Sequence, residues 1–401
     1  MKISNRVQNI ESTFTVALRI EADERKASGE DVIDLGLGDI NFGQPPNFTK
    51  ALVKAAQKGV NRYTEPEGTL ELRKAIARAN NNLYGGAYQG KIVQPKYEAE
   101  EIVHATSAKL LILAAATSIA NPGDEIIVLA PYWPSYIDTL KLACVKPVVC
   151  YTTKEDNFCP SKEQLSSVVT KKTKGVIVNS PNNPTGRVYT KNELKEIADF
   201  AQENDLVIIS DEVYDTIVFG KNVHYSIAAI SDEVAQRTIV IKGLSKGFGM
   251  GGIRFGYAMS KNNKFVEALS KVVSNMITSA PSVLQEAGPA LFLKSIDHVI
   301  RVRETFEKRV KFTEDFFRKN GIDFTEVQGA PYIFPDISSY FNKDITNSKS
   351  FMQRLIKETG VVVLHGGICG NDKYVRIALI QDIPILEKAL ERMIKFIRGK
   401  K

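Results

Sequence analysis

The stretch Gly243–Gly256, GLSKGFGMGGIRFG, decides how the rest of this chain is interpreted. It carries one lysine, Lys246, and one arginine, Arg254, eight positions later, among six glycines. Glycine lets backbone approach a bound group closely. A lysine amine kept from water can act as a nucleophile or a Schiff-base partner for an aldehyde, and a guanidinium fork suits a phosphate. The stretch predicts a site for a phosphorylated aldehyde, with a glycine-rich surface loop as the alternative.

Bulk composition is that of an ordinary globular protein. The 401 residues carry a formal charge of +7, and the basic clusters are short, so we expect solvated surface rather than nucleic-acid binding. The four cysteines form no CxxC pair, which argues against a zinc site and favours a reducing, cytoplasmic setting. The start of the chain lacks the apolar core of a signal peptide. No apolar run reaches transmembrane length, so we expect no membrane partner.

Short apolar runs alternate with helical periods through the middle of the chain. This pattern predicts an α/β fold with a mostly parallel sheet covered by helices, whose ligands bind at the carboxyl ends of the strands. Thr190 and Glu193 predict a capping box at one covering helix. The strand-like runs are Ile102–His104, Glu125–Leu129, Val145–Cys150, Gly175–Asn179, Leu206–Ser210 and Thr238–Ile241.

The last third of the chain has a different pattern. A long helical region from about Pro281 to Lys319 precedes short strands and a terminal helix from Ile383. We interpret this part as a smaller α+β domain that packs with the N-terminal segment. The expected boundaries are residues 1–43 for that segment, 44–290 for the large domain and 291–401 for the small domain.

Polar motifs follow the strand-like runs. Thr106-Ser107-Ala108-Lys109 opens a helix after a strand, where free N–H groups and the helix dipole attract anions. Asp211 ends another apolar run, with Tyr214 three residues on. Asn183 lies in the turn Ser180–Gly186, SPNNPTG. Taken singly, these motifs are equally compatible with an ordinary helix start, an acidic turn and a polar turn.

Together with the lysine stretch, these motifs resemble the class I/II aminotransferases, enzymes of fold type I that use pyridoxal 5′-phosphate (PLP). The resemblance extends over nearly the full length and is most specific in SPNNPTG and around Lys246. It implies that Lys246 binds the PLP aldehyde and acts as the base, that Asp211 holds the ring nitrogen protonated, and that Tyr214 and Asn183 contact the phenolic oxygen.

The resemblance also implies a set of further PLP contacts. Trp133, the only tryptophan, stacks on the ring in relatives with PYW at this place, although a core tryptophan is the alternative. In relatives a tyrosine placed like Tyr63 reaches the phosphate of the neighbouring subunit, which implies a homodimer. The remaining contacts are with the phosphate, and the residues that match them are Ser107, Ala108, Lys109, Ser245 and Arg254.

Substrate contacts are implied at Gly38, Trp133, Asn183 and Arg376. Arg376 lies in a late strand-like run, YVRIA, and matches the arginine that holds the substrate α-carboxylate; a structural salt bridge is the alternative. The chain departs from the family at Gly243, where relatives often have a phosphate-binding serine. It also departs at His365-Gly366 and Cys369-Gly370, where Pro-Gly and Phe-Gly are common.

The sequence therefore predicts an aminotransferase that moves an amino group between an L-amino acid and a 2-oxo acid by a ping-pong mechanism. Lys109 favours aspartate or glutamate as donor, because one subgroup uses lysine here to bind a distal carboxylate. An aromatic or broad-range aminotransferase is an alternative, and Tyr332 leaves room for an aromatic substrate. A PLP-dependent lyase and a non-catalytic PLP-binding regulator are more distant alternatives.

Overall fold

A computed structural model describes residues 3–10 and 14–399. The helices are α1 (Asn5–Gln8), α2 (Phe14–Ala27), α3 (Pro46–Gln57), α4 (Leu70–Asn81), α5 (Ala108–Ile119), α6 (Ser135–Leu142), α7 (Lys162–Val168), α8 (Lys191–Glu203), α9 (Asp232–Gln236), α10 (Asn263–Ile277), α11 (Ser282–Lys294), α12 (Ile296–Asn320), α13 (Ser348–Thr359) and α14 (Ile383–Arg398). The strands are β1 (Ile33–Asp34), β2 (Ile92–Val93), β3 (Ile102–Ala105), β4 (Glu125–Ala130), β5 (Lys146–Tyr151), β6 (Thr173–Asn179), β7 (Val207–Asp211), β8 (His224–Tyr225), β9 (Thr238–Gly243), β10 (Gly256–Met259), β11 (Tyr332–Ile333), β12 (Val361–Val362), β13 (Leu364–His365) and β14 (Val375–Ala378).

A seven-stranded sheet in the order β3-β10-β9-β7-β6-β4-β5 forms the centre of the molecule. Neighbouring strands of this sheet are parallel, except that β10 is antiparallel to both β3 and β9. The central strands β4, β6 and β7 are almost entirely buried, as expected for a parallel sheet with helices on both faces. The predicted α/β fold with a mostly parallel sheet is confirmed.

The sheet topology brings the sequence motifs to one edge. Strands β3, β4, β6, β7 and β9 all end there, so the residues that follow them in sequence lie near one another. Strand β10 runs in the opposite direction and therefore begins at the same edge, just after Arg254. This edge is where ligands bind in open α/β sheets.

A separate hydrophobic core joins the N-terminal segment to the last third of the chain. Leu18 and Ile33 pack with Val302, Leu355 and Leu390 and their neighbours. Two small sheets, β11-β14-β13 and β1-β12, lie in this part. On this basis we propose the division near residues 43 and 290: α11 packs against α3 and α4 of the large part, and the second boundary falls in the last turn of this helix.

Two local features differ from the sequence-based expectations or refine them, and a third is as expected. Strand β10 was not expected, because its four residues follow the glycine-rich stretch directly and look like its continuation. The long helical region is two helices that meet at Ser295. The capping box of Thr190 and Glu193 is confirmed at the start of α8. Within the described residues, no helix is both long and apolar enough to cross a membrane.

Candidate active site

A cavity of about 400 Å³ opens at the carboxyl edge of the central sheet. Residues from five strand ends and from both parts of the molecule line it. Every site residue expected from the sequence except Tyr63 contributes to its wall: Gly38, Ser107, Ala108, Lys109, Trp133, Asn183, Asp211, Tyr214, Ser245, Lys246, Arg254 and Arg376. The convergence of two amines, two carboxylates and two guanidinium groups on one concave space makes it the candidate active site.

Lys246 reaches into the cavity from the loop after β9. Its Nζ donates to the carbonyl oxygen of Gly38 at 2.7 Å and lies 5.9 Å from the centre of the Tyr214 ring. The acceptor at Gly38 is a neutral backbone group. A partly buried amine held in this way is available for chemistry on a bound carbonyl.

Asp211 ends β7 as a buried carboxylate, 3% exposed. Its Oδ2 accepts from the Tyr136 hydroxyl at 2.5 Å, and its Oδ1 accepts weakly from the Val213 amide at 3.4 Å. Burial raises the pKa of Asp211 to about 6, although the hydrogen bonds from Tyr136 and Val213 oppose the shift. A buried carboxylate that no cation of the described chain contacts by a hydrogen bond is suited to a cationic N–H group of a ligand.

Arg376 lies on β14 and is 2% exposed. Its guanidinium donates to Asn183 Oδ1 at 3.0 Å and to the Gly36 carbonyl at 2.6 Å, while Nε has no partner among the described residues. No carboxylate of the described chain forms an ion pair with it, so the structural salt bridge considered for this arginine is absent there. A buried guanidinium with a free donor at a cavity wall is suited to an anionic ligand.

Tyr332, on β11, packs against the groups already described. Its hydroxyl is 2.9 Å from that of Tyr214, and its ring centre lies 4.7 Å from the Arg376 guanidinium carbon. Burial acts to raise the pKa of Tyr332, but the charges of Lys246 and Arg376 outweigh it and lower that pKa. A Cβ at Gly38 would lie 2.2 Å from the Tyr332 hydroxyl. Glycine is therefore required at position 38 for Tyr332 to occupy this place.

The start of α5 forms a cradle in the wall of the cavity. Ser107 caps the helix by accepting from the Leu110 amide at 3.2 Å, and α5 is 12 residues long. A Cβ at Gly256 would lie 2.4 Å from the Ala108 nitrogen, so the start of β10 presses directly against this helix terminus. Arg254, exposed and in the left-handed conformation with φ 58°, brings a guanidinium to the same place. The geometry suits a phosphate.

The surroundings of Gly243 explain why glycine, and not the serine common in relatives, stands at this position. A Cβ there would lie 2.8 Å from the carbonyl oxygen of Phe255, so the two strands approach too closely for a serine without displacement. Ser245, two residues later, is the hydroxyl of this loop that lines the cavity. It is thus placed where it can substitute for the hydroxyl that Gly243 lacks.

Lys109 and Trp133 stand at the mouth of the cavity. The ammonium of Lys109 lies 5.1 Å from the centre of the Trp133 ring, and Trp133 meets Tyr136 edge-to-face at 5.4 Å. Partial burial lowers the pKa of Lys109, and the nearby charge of Arg254 lowers it further. The two cations make the mouth attractive to anions.

Tyr63 is the one predicted site residue that does not line the cavity. It is 85% exposed on the loop before α4. Among the lining residues that sequence reasoning missed are Tyr136, in the first turn of α6, and Asn179, whose side chain donates to the Asp211 carbonyl at 2.9 Å. Asn179 is the last residue of β6, and that strand-end position was its only signal.

The model of the aminotransferase class I and II family matches residues 30–393. The chain belongs to this family. The class I/II aminotransferase identified from the motifs is thereby confirmed, and with it the predicted enzyme class.

Curated relatives and solved structures agree with this family assignment. The chain is 35% identical to an aspartate aminotransferase of Bacillus sp. (strain YM-2), with 99% of each chain covered. It is 34% identical to an asparagine–oxo-acid transaminase of Streptococcus mutans, covering 98% of this chain and 99% of that one. The solved aspartate aminotransferase of Thermus thermophilus with maleate superimposes with a TM-score of 0.90 at 29% identity, covering 98% and 99%.

Proposed function

We propose that this aminotransferase uses PLP to move the amino group of an acidic L-amino acid, aspartate or glutamate, to 2-oxoglutarate or oxaloacetate. The observation that carries the proposal is the set of three groups facing one cavity. Lys246 offers an amine for a carbonyl, Asp211 a carboxylate for a cationic ring nitrogen, and Arg376 a guanidinium for a carboxylate. Each charge type matches a different part of a PLP–amino-acid pair.

The residues present fit PLP. Asp211 is buried, and its hydrogen bonds within the described chain come from neutral donors, which leaves it suited to a pyridinium N–H group. The start of α5, with Ser245 and Arg254 beside it, forms a cradle for a phosphate. The amine of Lys246 lines the same cavity. The three features support PLP as the cofactor.

PLP, when bound, supplies an aldehyde and a ring that accepts electrons. The chain's own groups do the rest. Lys246 Nζ would hold the cofactor at its aldehyde and would serve as the base for the proton of the substrate α-carbon. Asp211 would pair with the ring nitrogen and keep it protonated, and Tyr214 and Asn183 would donate to the phenolic oxygen. Arg376 binds the α-carboxylate and so aligns the α-carbon with Lys246.

The choice of an acidic substrate rests on the charges at the mouth. Lys109 and Arg254 stand there, and the pKa of Lys109 is lowered by partial burial and by Arg254, so a second anion near them is favourable. Two relatives are named for aspartate and asparagine, which supports a donor with a distal polar group.

The donor preference should depend on Lys109. We expect Lys109→Met to lower kcat/KM for aspartate and glutamate about 10- to 100-fold, the range of a hydrogen bond to a charged group, and to change alanine and phenylalanine far less. The measurement is 2-oxo-acid-dependent amino transfer from acidic, amide, aromatic and small donors. Release of many equivalents of product per active site without a 2-oxo acid would instead indicate a lyase.

Lys141→Met is the matched control for this experiment. Lys141 is a half-buried lysine on α6 that pairs with Asp138 at 3.7 Å, donates to the Asn9 carbonyl at 3.3 Å and does not line the cavity. The Lys141→Met variant should have the same donor preference as the wild-type protein. An equal loss across all donors in Lys109→Met would assign Lys109 to PLP binding and refute its role in binding a distal carboxylate.

We further propose that two chains form a homodimer in which Tyr63 completes the partner's phosphate site. An aromatic side chain 85% exposed on a single chain supports this. Tyr63→Phe should weaken PLP retention about 2- to 10-fold, the effect of one hydrogen bond, as measured by equilibrium dialysis. Tyr151→Phe is the control, since Tyr151 is 64% exposed on the edge strand β5. A monomer by sedimentation that retains full activity would contradict the proposal.

PLP binding should depend on pH through Asp211. Its raised pKa of about 6 means that the carboxylate is charged at neutral pH and gains a proton as the pH falls through 6. We therefore expect the affinity of the apoprotein for PLP, relative to Asp211→Asn, to be greatest above pH 7 and to decline below pH 6. The same shift destabilises the apoprotein at neutral pH, and acidification relieves that cost. Parallel curves for the two proteins would contradict the assignment.

A further inference from the structure

A second lysine lies beneath the site and takes no part in the chemistry described so far. Lys242, on β9, is 1% exposed and lies outside the cavity lining. Its Nζ donates to Asp215 Oδ2 at 2.7 Å and to Gln94 Oε1 at 2.5 Å, with Glu212 Oε2 at 3.8 Å. A charge buried this deeply persists only when it is well paired, so the arrangement around it is specific.

The two carboxylates belong to the segment that carries the site. Residues 211–215 face two sides: Asp211 and Tyr214 face the cavity, while Glu212 and Asp215 face Lys242 from behind. Glu212 is held in addition by the hydroxyls of Ser210 and Ser226, at 2.8 and 2.7 Å, and by His224 at 3.2 Å.

The same segment abuts the loop of Lys246. A Cβ at Gly247 would lie 2.1 Å from the Thr216 hydroxyl, so the chain after Tyr214 touches the residue after Lys246. The amide of Glu212 donates to the Ile241 carbonyl at 2.9 Å, next to Lys242. A displacement of the segment would therefore change the positions of Asp211 and Tyr214 relative to Lys246.

We propose that Lys242 is a positioning residue, whose ammonium holds Asp215 and Glu212 and thereby fixes the segment that presents Asp211 and Tyr214 to the cavity. The reaction affected is the amino transfer proposed above, and the effect on catalysis rests on that proposed function. Buried ion pairs of this kind add little net stability, because desolvation offsets the attraction. The contribution of this ion pair is to fix the position of residues 211–215 relative to the cavity.

The positive charge of Lys242 also acts electrostatically on the carboxylates of the same segment. Burial raises the pKa of Asp211, and the negative charge of Glu212 raises it further. This upward shift is opposed by the hydrogen bonds from Tyr136 and Val213 and by the charge of Lys246. The pKa of Glu212 itself is lowered, because His224 and Lys242 outweigh its burial. The ammonium thus offsets the negative charge behind Asp211.

The test removes the Lys242–Asp215 pair as a unit, so that the net charge of the buried cluster is unchanged and Glu212 keeps Ser210, His224 and Ser226 as partners. Lys242→Met/Asp215→Asn is compared with Lys261→Met/Glu101→Gln, which removes a half-buried pair of 2.8 Å at the opposite end of the sheet. Three quantities are measured on the full chain: amide hydrogen exchange of residues 211–217, the pH dependence of the PLP absorbance spectrum, and kcat and KM for aspartate.

We expect the first variant to exchange about tenfold faster over residues 211–217, a change of about 1.4 kcal/mol in local opening. Its PLP spectrum should titrate at a different pH, and kcat should fall about tenfold with a smaller change in KM. The control should resemble wild type in all three. If the first variant does not fold, Lys242→Gln, which keeps a donor for Asp215, is measured by the same criteria.

The outcomes separate the two proposals. Exchange, spectrum and kcat that match the control would overturn the role of Lys242. A wild-type protein that binds no PLP and transfers no amino group would overturn the proposed function, while the exchange rates of residues 211–217 would still decide whether Lys242 fixes the segment.

Discussion

Lys246→Ala should lower kcat at least about 10⁴-fold, because one side chain supplies both the covalent partner of the PLP aldehyde and the base for the α-proton. The structure offers no substitute among the described residues. The amine of Lys109 lies at the mouth, against the Trp133 ring, and Lys242 is buried behind the segment that carries Asp211. The variant should still bind some PLP, since the cradle at the start of α5 and Asp211 are unchanged.

Two measurements check this prediction. Wild-type protein should be yellow, and borohydride should attach the cofactor permanently to the peptide that contains Lys246. Lys261→Ala serves as the control, because it removes a lysine that does not line the cavity and should change neither colour nor turnover. Recovery of the reduced label on Lys109 or any other lysine would refute the central assignment.

The central sheet and much of the site could be predicted because both depend on local patterns. Each predicted run of the large sheet became a strand within two residues of its expected ends. Asp211 was found because a carboxylate directly after a buried strand must lie at the carboxyl edge of a parallel sheet. The same reasoning placed Ser107 and Lys246 on this edge, so three separate motifs pointed to one place.

Other parts of the site depend on contacts between residues that are distant in sequence. Tyr136 donates to Asp211 across 75 positions, and Tyr332 meets Tyr214 across 118. The sequence around each tyrosine contains no pattern that identifies the residue it contacts, so neither contact can be predicted locally. The same limit applies to Lys242, which looks like one more residue of a strand until Asp215 and Glu212 are seen beside it.

Arg376→Lys should lower kcat/KM for aspartate about 100- to 1,000-fold, or roughly 3–4 kcal/mol, the range for truncating one partner of a buried, hydrogen-bonded charge pair. A lysine keeps the charge but loses the planar fork, which here reaches Asn183 and the Gly36 carbonyl and leaves Nε free for a carboxylate. The loss should appear mainly in KM if the carboxylate contact is equally strong in ground and transition states.

The measurement that isolates this contact compares each amino acid with the corresponding amine that lacks the α-carboxylate. The first half-reaction, followed by PLP absorbance, should slow strongly for the amino acid and hardly for the amine. Arg309→Lys is the protein control, since Arg309 is also buried but bonds the Ile380 carbonyl at 2.7 Å and pairs with Asp382, outside the cavity. An equal loss for amine and amino acid in Arg376→Lys would mean that Arg376 supports the fold around Asn183 instead of binding the substrate carboxylate.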